Sequence, residues 1–256
     1  MDYEGIFMYI QHPAFEPSPD DSTKIWRYMD FTKFISLLDT KSLFFCRADR
    51  LPDPFEGSTS KANMERRQSM YKNWGDSCDE KLEIYSESMR DYRKYVHINC
   101  WHINTYESAA MWNLYLKSNE GIAIQTTIGG LKDSFDKSPE PIFIGDVKYI
   151  DYDRDYIPDE NVFYSYLHKR KSFEYEQELR AIFAFTELIE VENGRYEFQE
   201  VEMGSYISVN LNILIDNIFV SPTAPKWFYE LTKSVADKYG ITKNIKQSSL
   251  ANDPIY

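Results

Sequence analysis

Three glutamates stand close together immediately before an apolar run, in the stretch KRKSFEYEQELRAIFAF that covers residues 169–185. On an extended segment, Glu174, Glu176 and Glu178 would point to the same side, because strand side chains alternate with a period of two. Arg180 would follow on that face and could pair with Glu178, which would keep this carboxylate ionised. Carboxylates in such a place suit the stabilisation of a cationic transition state or the activation of an acceptor group.

The same acids also fit a purely structural interpretation. They could mark the solvated end of a helix, with the cations at 169–171 as partners about one turn away. The residues alone leave both interpretations open.

A second group that could do chemistry is Arg27, which lies between Trp26 and Tyr28 in the strand candidate IWRYM (25–29). An arginine in this position, followed by a helix, is suited to binding a phosphate through two hydrogen bonds. The alternative is a cation on an edge strand that faces water.

The loop LPDPFEG (51–57) places two acids in a stiff segment. Pro52 and Pro54 restrict the backbone, so Asp53 and Glu56 should be held in fixed directions. This pattern indicates either a functional loop or a well-formed turn.

Several common chemistries lack their sequence patterns. No Walker or Rossmann glycine motif is present, and Gly129-Gly130 is expected to form an ordinary turn. Cys100 and His102 share one side of a strand candidate, but no spaced Cys or His completes a zinc site, so no metal is expected. The structural alternative is that Cys100 is a buried thiol and that His102 faces a cleft or forms a hydrogen bond with a carbonyl group. No G-x-S-x-G element indicates a hydrolase triad.

Length and composition indicate one large domain over residues 1–256, with 43% hydrophobic residues and a net charge of -12. This charge gives no reason to expect non-specific attraction to nucleic acid or to anionic membranes. Three cysteines without a paired pattern are typical of a reducing compartment. The start of the chain lacks the pattern of a signal peptide, and no apolar run reaches transmembrane length. We therefore expect a cytoplasmic protein.

Strand and helix patterns interleave without a regular βαβ rhythm, which predicts an α+β fold around a bent or split mixed sheet with flanking helices. Strands are expected at 25–29, 42–48, 96–103, 121–127, 142–150, 178–185, 195–203, 212–222 and 244–250. Helices are expected at 30–41, 107–117, 157–171 and 225–240. Residues 1–23 should form an irregular lead-in, and the charged stretch 58–95 a peripheral helical insertion.

Taken in order, SLFFCRADRLPDPFEG (42–57), NCWHINTYESAAMW (99–112) and FEYEQELRAIF (173–183) resemble a known bacterial family. This is the domain-of-unknown-function 2971 family, whose members carry an N-D-P-F-E-like loop, an M-W segment and a closing Y-E-x-E-x-R. The resemblance covers most of the chain from about residue 25, with 58–95 least covered. The sequence departs from the family pattern at Pro52, where asparagine is usual, and at His102, where serine is common. The family name implies no reaction.

A more distant resemblance does imply a reaction. A basic residue beside a tyrosine on the first strand, a polar middle strand and a late E-x-E at a strand edge are similar to the layout of ADP-ribosyltransferases. The resemblance implies an ADP-ribosyltransferase-like sheet and NAD as a substrate. Arg27 and Tyr28 would then bind NAD together with His102, Trp112 and Arg180.

The same resemblance implies that Glu178 bonds the nicotinamide ribose and stabilises the ribosyl cation, while Glu176 faces the acceptor. The remaining cleft residues would be Asp53, Phe55, Glu56 and Trp101. The acceptor would be a macromolecule, either protein or nucleic acid, as expected for a bacterial toxin or a phage-defence effector.

Two functions of other classes remain as alternatives. Asp53, Glu56, Glu176 and Glu178 could hold Mg²⁺ in an enzyme that processes nucleic acid. An aromatic cleft around Trp101, Trp112 and Tyr115 could instead recognise a ligand in a non-catalytic defence module.

Overall fold

The computed structural model describes residues 9–15, 20–72, 78–116, 118–135, 138, 140–185, 188–191, 195–198 and 202–255. Within these residues the strands are β1 (Lys24–Asp30), β2 (Ser42–Arg47), β3 (Val96–Ile103), β4 (Gly121–Thr127), β5 (Phe143–Asp146), β6 (Lys148–Ile150), β7 (His168–Arg170), β8 (Glu178–Ala184), β9 (Leu188–Val191), β10 (Arg195–Phe198), β11 (Gly204–Ser208), β12 (Asn217–Val220) and β13 (Asn244–Gln247). The α-helices are α1 (Phe31–Thr40), α2 (Lys61–Tyr71), α3 (Cys78–Tyr92), α4 (Ala109–Tyr115), α5 (Ile128–Ser134), α6 (Leu211–Leu214) and α7 (Lys226–Lys238).

A mixed, mostly antiparallel sheet organises the molecule, with helices on its flanks. Its main path has the order β11-β2-β3-β1-β4-β12-β13, and β8 and β5 extend the sheet from β3. In this sheet β12 and β13 are parallel, and the other pairs of strands are antiparallel. The expected α+β architecture is thus confirmed at the level of a mixed sheet with flanking helices.

The sheet divides at β3. One edge of β3 pairs with β8 over its length, from Val96↔Ala184 to His102↔Glu178. The other edge pairs with β2 at residues 97–98 and with β1 at residues 102–103, so residues 99–101 have no described strand beside them there. We call this gap, at residues 99–101, the fork.

Side chains satisfy the backbone at the fork. Arg27 donates from Nη1 to the carbonyl oxygen of Cys100 at 2.5 Å, and Asn99 donates from Nδ2 to the carbonyl of Phe44 at 2.8 Å. Buried backbone groups need such partners when no strand supplies them. Arg27 therefore has a structural role that the sequence did not indicate.

The alternation of side chains along β8 separates the main core from the site. Leu179, Ala181 and Phe183 point into the largest hydrophobic cluster, which also contains the buried face of α1. Glu178 and Arg180 point to the opposite face of the sheet, because the period of a strand is two. The polar side chains of β8 thus lie on the face of the strand opposite to the main hydrophobic core.

Local patterns were good predictors of several elements. The helix expected at 30–41 is confirmed as α1, and Asp30 caps it by accepting a hydrogen bond from the backbone N–H of Lys33 at 2.9 Å. The strands expected at 25–29, 42–48, 96–103 and 121–127 are confirmed as β1 to β4.

The prediction of a helix at 157–171 is wrong. This segment forms a short 3-10 helix at Val162–Tyr166 and then the strand β7, which pairs in parallel with β6. Asn161 caps the 3-10 turn, and the aromatic residues that follow are better suited to short, packed elements than to a long helix.

Other boundaries also moved. The strand expected at 142–150 is divided into β5 and β6, and the first residues of the strand expected at 212–222 form α6. The strand expected at 195–203 ends in the structure at Phe198, and residues 199–201 lie outside the described part. Gly129 and Gly130 lie in the first turn of α5 rather than in an isolated turn. A Cβ on Gly130 would lie 2.5 Å from the hydroxyl of Thr126, which explains the need for glycine there.

The segment 58–95 contains the helices α2 and α3, with residues 73–77 outside the described part. Arg67 of α2 lies 4.2 Å from the ring centroid of Tyr85 on α3, and Asn63 donates to the carbonyl of Ile157 at 2.7 Å. In the lead-in, only residues 9–15 and 20–23 are described, and Tyr9 forms an isolated bridge with Ile142. Among all described helices, none has the length and apolar character needed to cross a membrane.

Candidate functional site

A cavity of about 580 Å³ opens at the fork. Nine of the residues selected from the sequence line it: Arg27, Tyr28, Asp53, Glu56, Trp101, His102, Glu176, Glu178 and Arg180. Tyr115, from the proposed aromatic cleft, lines it too. Residues far apart in the chain thus face one space large enough for a ligand of nucleotide size.

Two selected residues lie outside the cavity wall. Trp112 is buried behind Tyr28, with ring centroids 5.0 Å apart, and its Nε1 donates to Glu107 at 3.1 Å. Phe55 is 40% exposed and lies under the guanidinium of Arg170, at 4.2 Å from its ring centroid. Trp112 thus supports Tyr28, which lines the cavity, whereas Arg170, the partner of Phe55, does not line it.

The prediction that three glutamates share one face of an extended segment is wrong. The chain forms a 3-10 helix over Lys171–Glu176, and Gln177 then adopts a left-handed conformation with φ 41° before β8 begins at Glu178. Glu174 is exposed to solvent and does not line the cavity. Because of the turn at Gln177, Glu176 and Glu178 approach the cavity from two different elements.

Arg180 is fully buried and organises the acids at one end of the cavity. Its Nε donates to Glu178 Oε2 at 2.6 Å, as expected from their spacing on the strand. Its two Nη groups each donate to one oxygen of Glu56 at 2.7 Å, and Nη1 also donates to the carbonyl of Tyr166 at 2.8 Å. This bidentate geometry locks the Glu56 side chain in place.

Lys169 is the partner that the sequence interpretation did not place in the site. Its Nζ donates to Glu176 at 2.5 Å and to Glu178 at 2.8 Å, and lies 3.6 Å from Glu56. The lysine side chain is only 8% exposed, so these bonds are not those of a solvated helix end. Lys169 is buried on the short strand β7, whereas the sequence pattern predicts a helix in this segment.

The cluster contains three carboxyl groups and two cations. Burial, the hydrogen bond that protonated Glu176 donates to Glu178, and the charge of Glu178 raise the pKa of Glu176 to about 8. Burial alone would also raise the pKa of Glu178, but the positive charges of Arg180 and Lys169 hold it well below its usual range. One carboxyl group is therefore neutral and the other ionised at neutral pH, which is the pattern of an acid and base pair.

Arg27 is the cation of the cavity without a carboxylate partner among the described residues. Besides its bond to the carbonyl of Cys100, its guanidinium lies 5.9 Å from the ring centroid of Trp101. Burial lowers the pKa of this guanidinium. A desolvated positive charge of this kind favours the binding of an anion.

His102 is held in place by its neighbours. Its Nδ1 lies 2.6 Å from the carbonyl oxygen of Glu176, and its Nε2 lies 3.3 Å from Asn104 Nδ2. Burial lowers the pKa of the imidazole, which keeps it neutral near pH 7. His102 thus positions the turn that carries Glu176 while forming part of the cavity wall.

The loop at residues 51–57 is pinned to the same region. Arg170 donates from Nη2 to Asp53 at 2.7 Å, and Asp53 accepts the backbone N–H of Phe55 at 3.1 Å. Gly57 has φ 70°, and a Cβ there would lie 2.4 Å from the buried ring of Tyr166. Only glycine allows this close approach.

Within the described part of the chain, no three His, Cys, Asp or Glu side chains are arranged to hold a metal ion. The oxygens of Glu56 and Glu178 pair with Arg180 and Lys169. The protein's own cations therefore already occupy the oxygens that could bind a metal ion. No family model, no curated protein and no solved structure matches this chain. The case for a function therefore depends on the geometry of the cavity.

Proposed function

We propose that the cavity binds NAD and that the protein is an ADP-ribosyltransferase-like enzyme that modifies a macromolecule. The observation that carries this proposal is that Arg27 and the pair Glu176 and Glu178 line one cavity. A cation without a carboxylate partner suits the pyrophosphate of NAD, and two carboxyl groups with divergent pKa values suit transfer of a ribosyl group. The forked sheet, with a basic residue on β1, Glu178 at the start of β8 and Glu176 in the turn before it, supports the likeness to this class.

In this reaction, the bond between ribose C1′ and the nicotinamide nitrogen breaks, and its electron pair leaves with neutral nicotinamide. The ribosyl group is left as a cation of oxocarbenium character. Glu178, ionised and fixed by Arg180 and Lys169, is placed to stabilise that charge without reorganisation. Arg180 and Lys169 hold the Glu178 carboxylate in this orientation. The charge that stabilises the ribosyl cation is that of Glu178 itself.

Glu176 then serves the acceptor. A group with a pKa near the working pH is the best general base, and the pKa of Glu176 is about 8. Its ionised form takes the proton of the attacking acceptor atom as that atom forms its bond to C1′. Modification of a protein or nucleic acid by this route would suit a bacterial toxin or a phage-defence effector.

The test is an assay of nicotinamide release with purified variants that circular dichroism shows to be folded. Glu178→Gln should lower the rate by about 10²–10³, the usual effect of removing one transition-state contact. Glu176→Gln should retain most NAD cleavage to water and lose transfer to the acceptor, while Arg27→Ala should mainly raise KM. Glu174→Gln is the matched control, because Glu174 precedes the pair in the same segment but is exposed and does not line the cavity. Equal rates in wild type and Glu178→Gln would refute the assigned chemistry.

A non-catalytic binding module is the second candidate. It is favoured by the fact that both oxygens of Glu178 are bonded to buried cations. A thermal-shift screen with NAD, ADP-ribose and Mg²⁺ separates the possibilities. Stabilisation by nucleotide without nicotinamide release under any acceptor condition indicates the binding module, and stabilisation by Mg²⁺ alone indicates the metal-dependent alternative.

A further inference from the structure

Two aromatic residues form the end of the cavity that lies away from the acids. Phe44 on β2 and Tyr206 on β11 stand directly opposite each other, with ring centroids 5.2 Å apart. Tyr206 is 56% exposed, although it lines the cavity. An exposed tyrosine ring at a cavity mouth offers a flat surface for stacking.

The register of the strands places this pair on the same face as the acids. Residues directly opposite in antiparallel strands share a face, so Tyr206 and Phe44 lie on one face. Cys46 stands opposite Ile98 on β3, and Phe44 lies two residues from Cys46. Phe44 therefore shares the face of Ile98.

The same face continues to the acids. Cys100 lies two residues from Ile98 and stands opposite Arg180 on β8, whose neighbour on this face is Glu178. From β11 through β2 and β3 to β8 there are three strand spacings, or about 14 Å. The fork widens this distance, because β2 leaves β3 there.

Arg27 stands between the two ends. Its bond to the carbonyl of Cys100 fixes the guanidinium at the fork, beside the strand that separates Phe44 from Arg180. Trp26 stands opposite His102, so Arg27 belongs to the other face of the sheet, and it lines the cavity at the fork. Along the cavity wall the order is thus an aromatic pair, a cation, and a pair of carboxyl groups. The wall residues from β1, α1 and β2 include the apolar Met29, Leu37 and Leu43 and the polar Ser36 and Ser42, and Lys33 is paired with Asp30 at 3.3 Å.

We infer that the Phe44 and Tyr206 end binds the purine base of a nucleotide, with the phosphates at Arg27 and the distal ribose at the acids. This assignment rests on the proposed function and gives the bound dinucleotide a direction: adenine lies toward β11 and nicotinamide ribose toward β8. A purine nucleotide with one ribose, such as AMP, reaches from Tyr206 to Arg27. Nicotinamide mononucleotide occupies the opposite half, from Arg27 to Glu176.

Isothermal titration of the whole chain with AMP, ADP-ribose and nicotinamide mononucleotide tests the direction. Stacking of a base on an aromatic side chain contributes about 1–3 kcal/mol. Tyr206→Ala should therefore lower the affinity for AMP and ADP-ribose by at least about fivefold and leave the affinity for nicotinamide mononucleotide unchanged. Tyr206→Phe keeps the ring and should retain the affinity for all three. Tyr106→Ala is the control, because Tyr106 is 76% exposed and does not line the cavity.

The inference is overturned if AMP and ADP-ribose fail to bind the wild type, or if Tyr206→Ala weakens all three ligands equally or none of them. Its failure differs from the failure of the proposed function. Purine binding that depends on Tyr206, without any nicotinamide release from NAD, would support the inference and exclude the transferase.

Discussion

Replacing Glu176 by glutamine should stabilise the protein near pH 8, whereas the same replacement at Glu178 should destabilise it. The two acids are two residues apart and share the partner Lys169. They differ in that Glu178 also receives the Nε–H of Arg180. Three carboxyl groups against two cations leave one carboxyl in surplus, and the pKa values identify it as Glu176.

The magnitude for Glu176 follows from linkage. Its pKa is raised from 4.5 to about 8, so between these values the folded state keeps a proton that the unfolded state releases. The resulting loss of stability is absent below about pH 4.5 and complete above about pH 8, where it reaches at most about 5 kcal/mol at 1.36 kcal/mol per unit. Glutamine removes this loss but weakens the bond to Lys169, which contributes about 1.5–3 kcal/mol. We therefore expect a net gain of about 2 kcal/mol at pH 8 that becomes a net loss of about 1–2 kcal/mol at pH 5, where little of the linkage term remains.

The effect at Glu178 has the opposite sign. Its pKa is lowered in the folded state, so it stabilises the protein above the unfolded pKa, and this contribution is lost as the pH falls through the folded pKa. Glutamine at 178 leaves Arg180 and Lys169 buried with less negative charge, a change that costs about 3–5 kcal/mol in other proteins. Glu176 should then ionise and replace part of that charge, which places the loss near the lower limit. The double variant should lose more than the two single effects predict.

Urea denaturation followed by circular dichroism at pH 5, 6, 7 and 8 measures these free energies of unfolding. Glu174→Gln, at an exposed position, should change stability by less than about 0.5 kcal/mol at every pH. A loss of stability in Glu176→Gln at pH 8, or a gain in Glu178→Gln, would refute the assignment of the surplus carboxyl group.

Two further predictions concern the frame of the site. Gly57→Ala should lower the free energy of unfolding by about 2 kcal/mol or more, because the new Cβ would strain a residue with φ 70° and lie 2.4 Å from Tyr166. Gly240→Ala is its control: with φ 74° but no atom within 4 Å, it should show only the backbone cost of about 1 kcal/mol, and equal losses at both positions would contradict the packing argument. His97 is fully buried, neither ring nitrogen has a hydrogen-bond partner in the described structure, and burial lowers its pKa from 6.5 to about 4. Because the unfolded state takes up a proton first, stability should fall by up to about 3 kcal/mol as the pH drops from 6.5 to 4, and His97→Phe should reduce that slope in urea titrations; an unchanged slope would show that His97 is not its source.

Local chemistry allowed part of this structure to be predicted from the residues. Asp30 marked the start of α1 because an N-cap needs only its own side chain and the N–H groups that follow. The pairing of Glu178 with Arg180 followed from the period of two along β8. The same rule failed for Glu174 and Glu176, because it assumes an extended backbone and Gln177 is left-handed.

The sequence by itself determined which residues carry charge beside buried segments, and it determined the strands on which Arg27 and Arg180 lie. Only the tertiary structure decided that Glu56, 124 positions away, would bond Arg180, and that Arg27 would face the cavity with no carboxylate partner among the described residues. It also decided that Lys169 would join the acids. The physical reason is that capping and side-chain alternation act over a few residues, whereas these contacts depend on strand register. That register is set by burying whole faces of a sheet at once, so no short stretch of the sequence contains it.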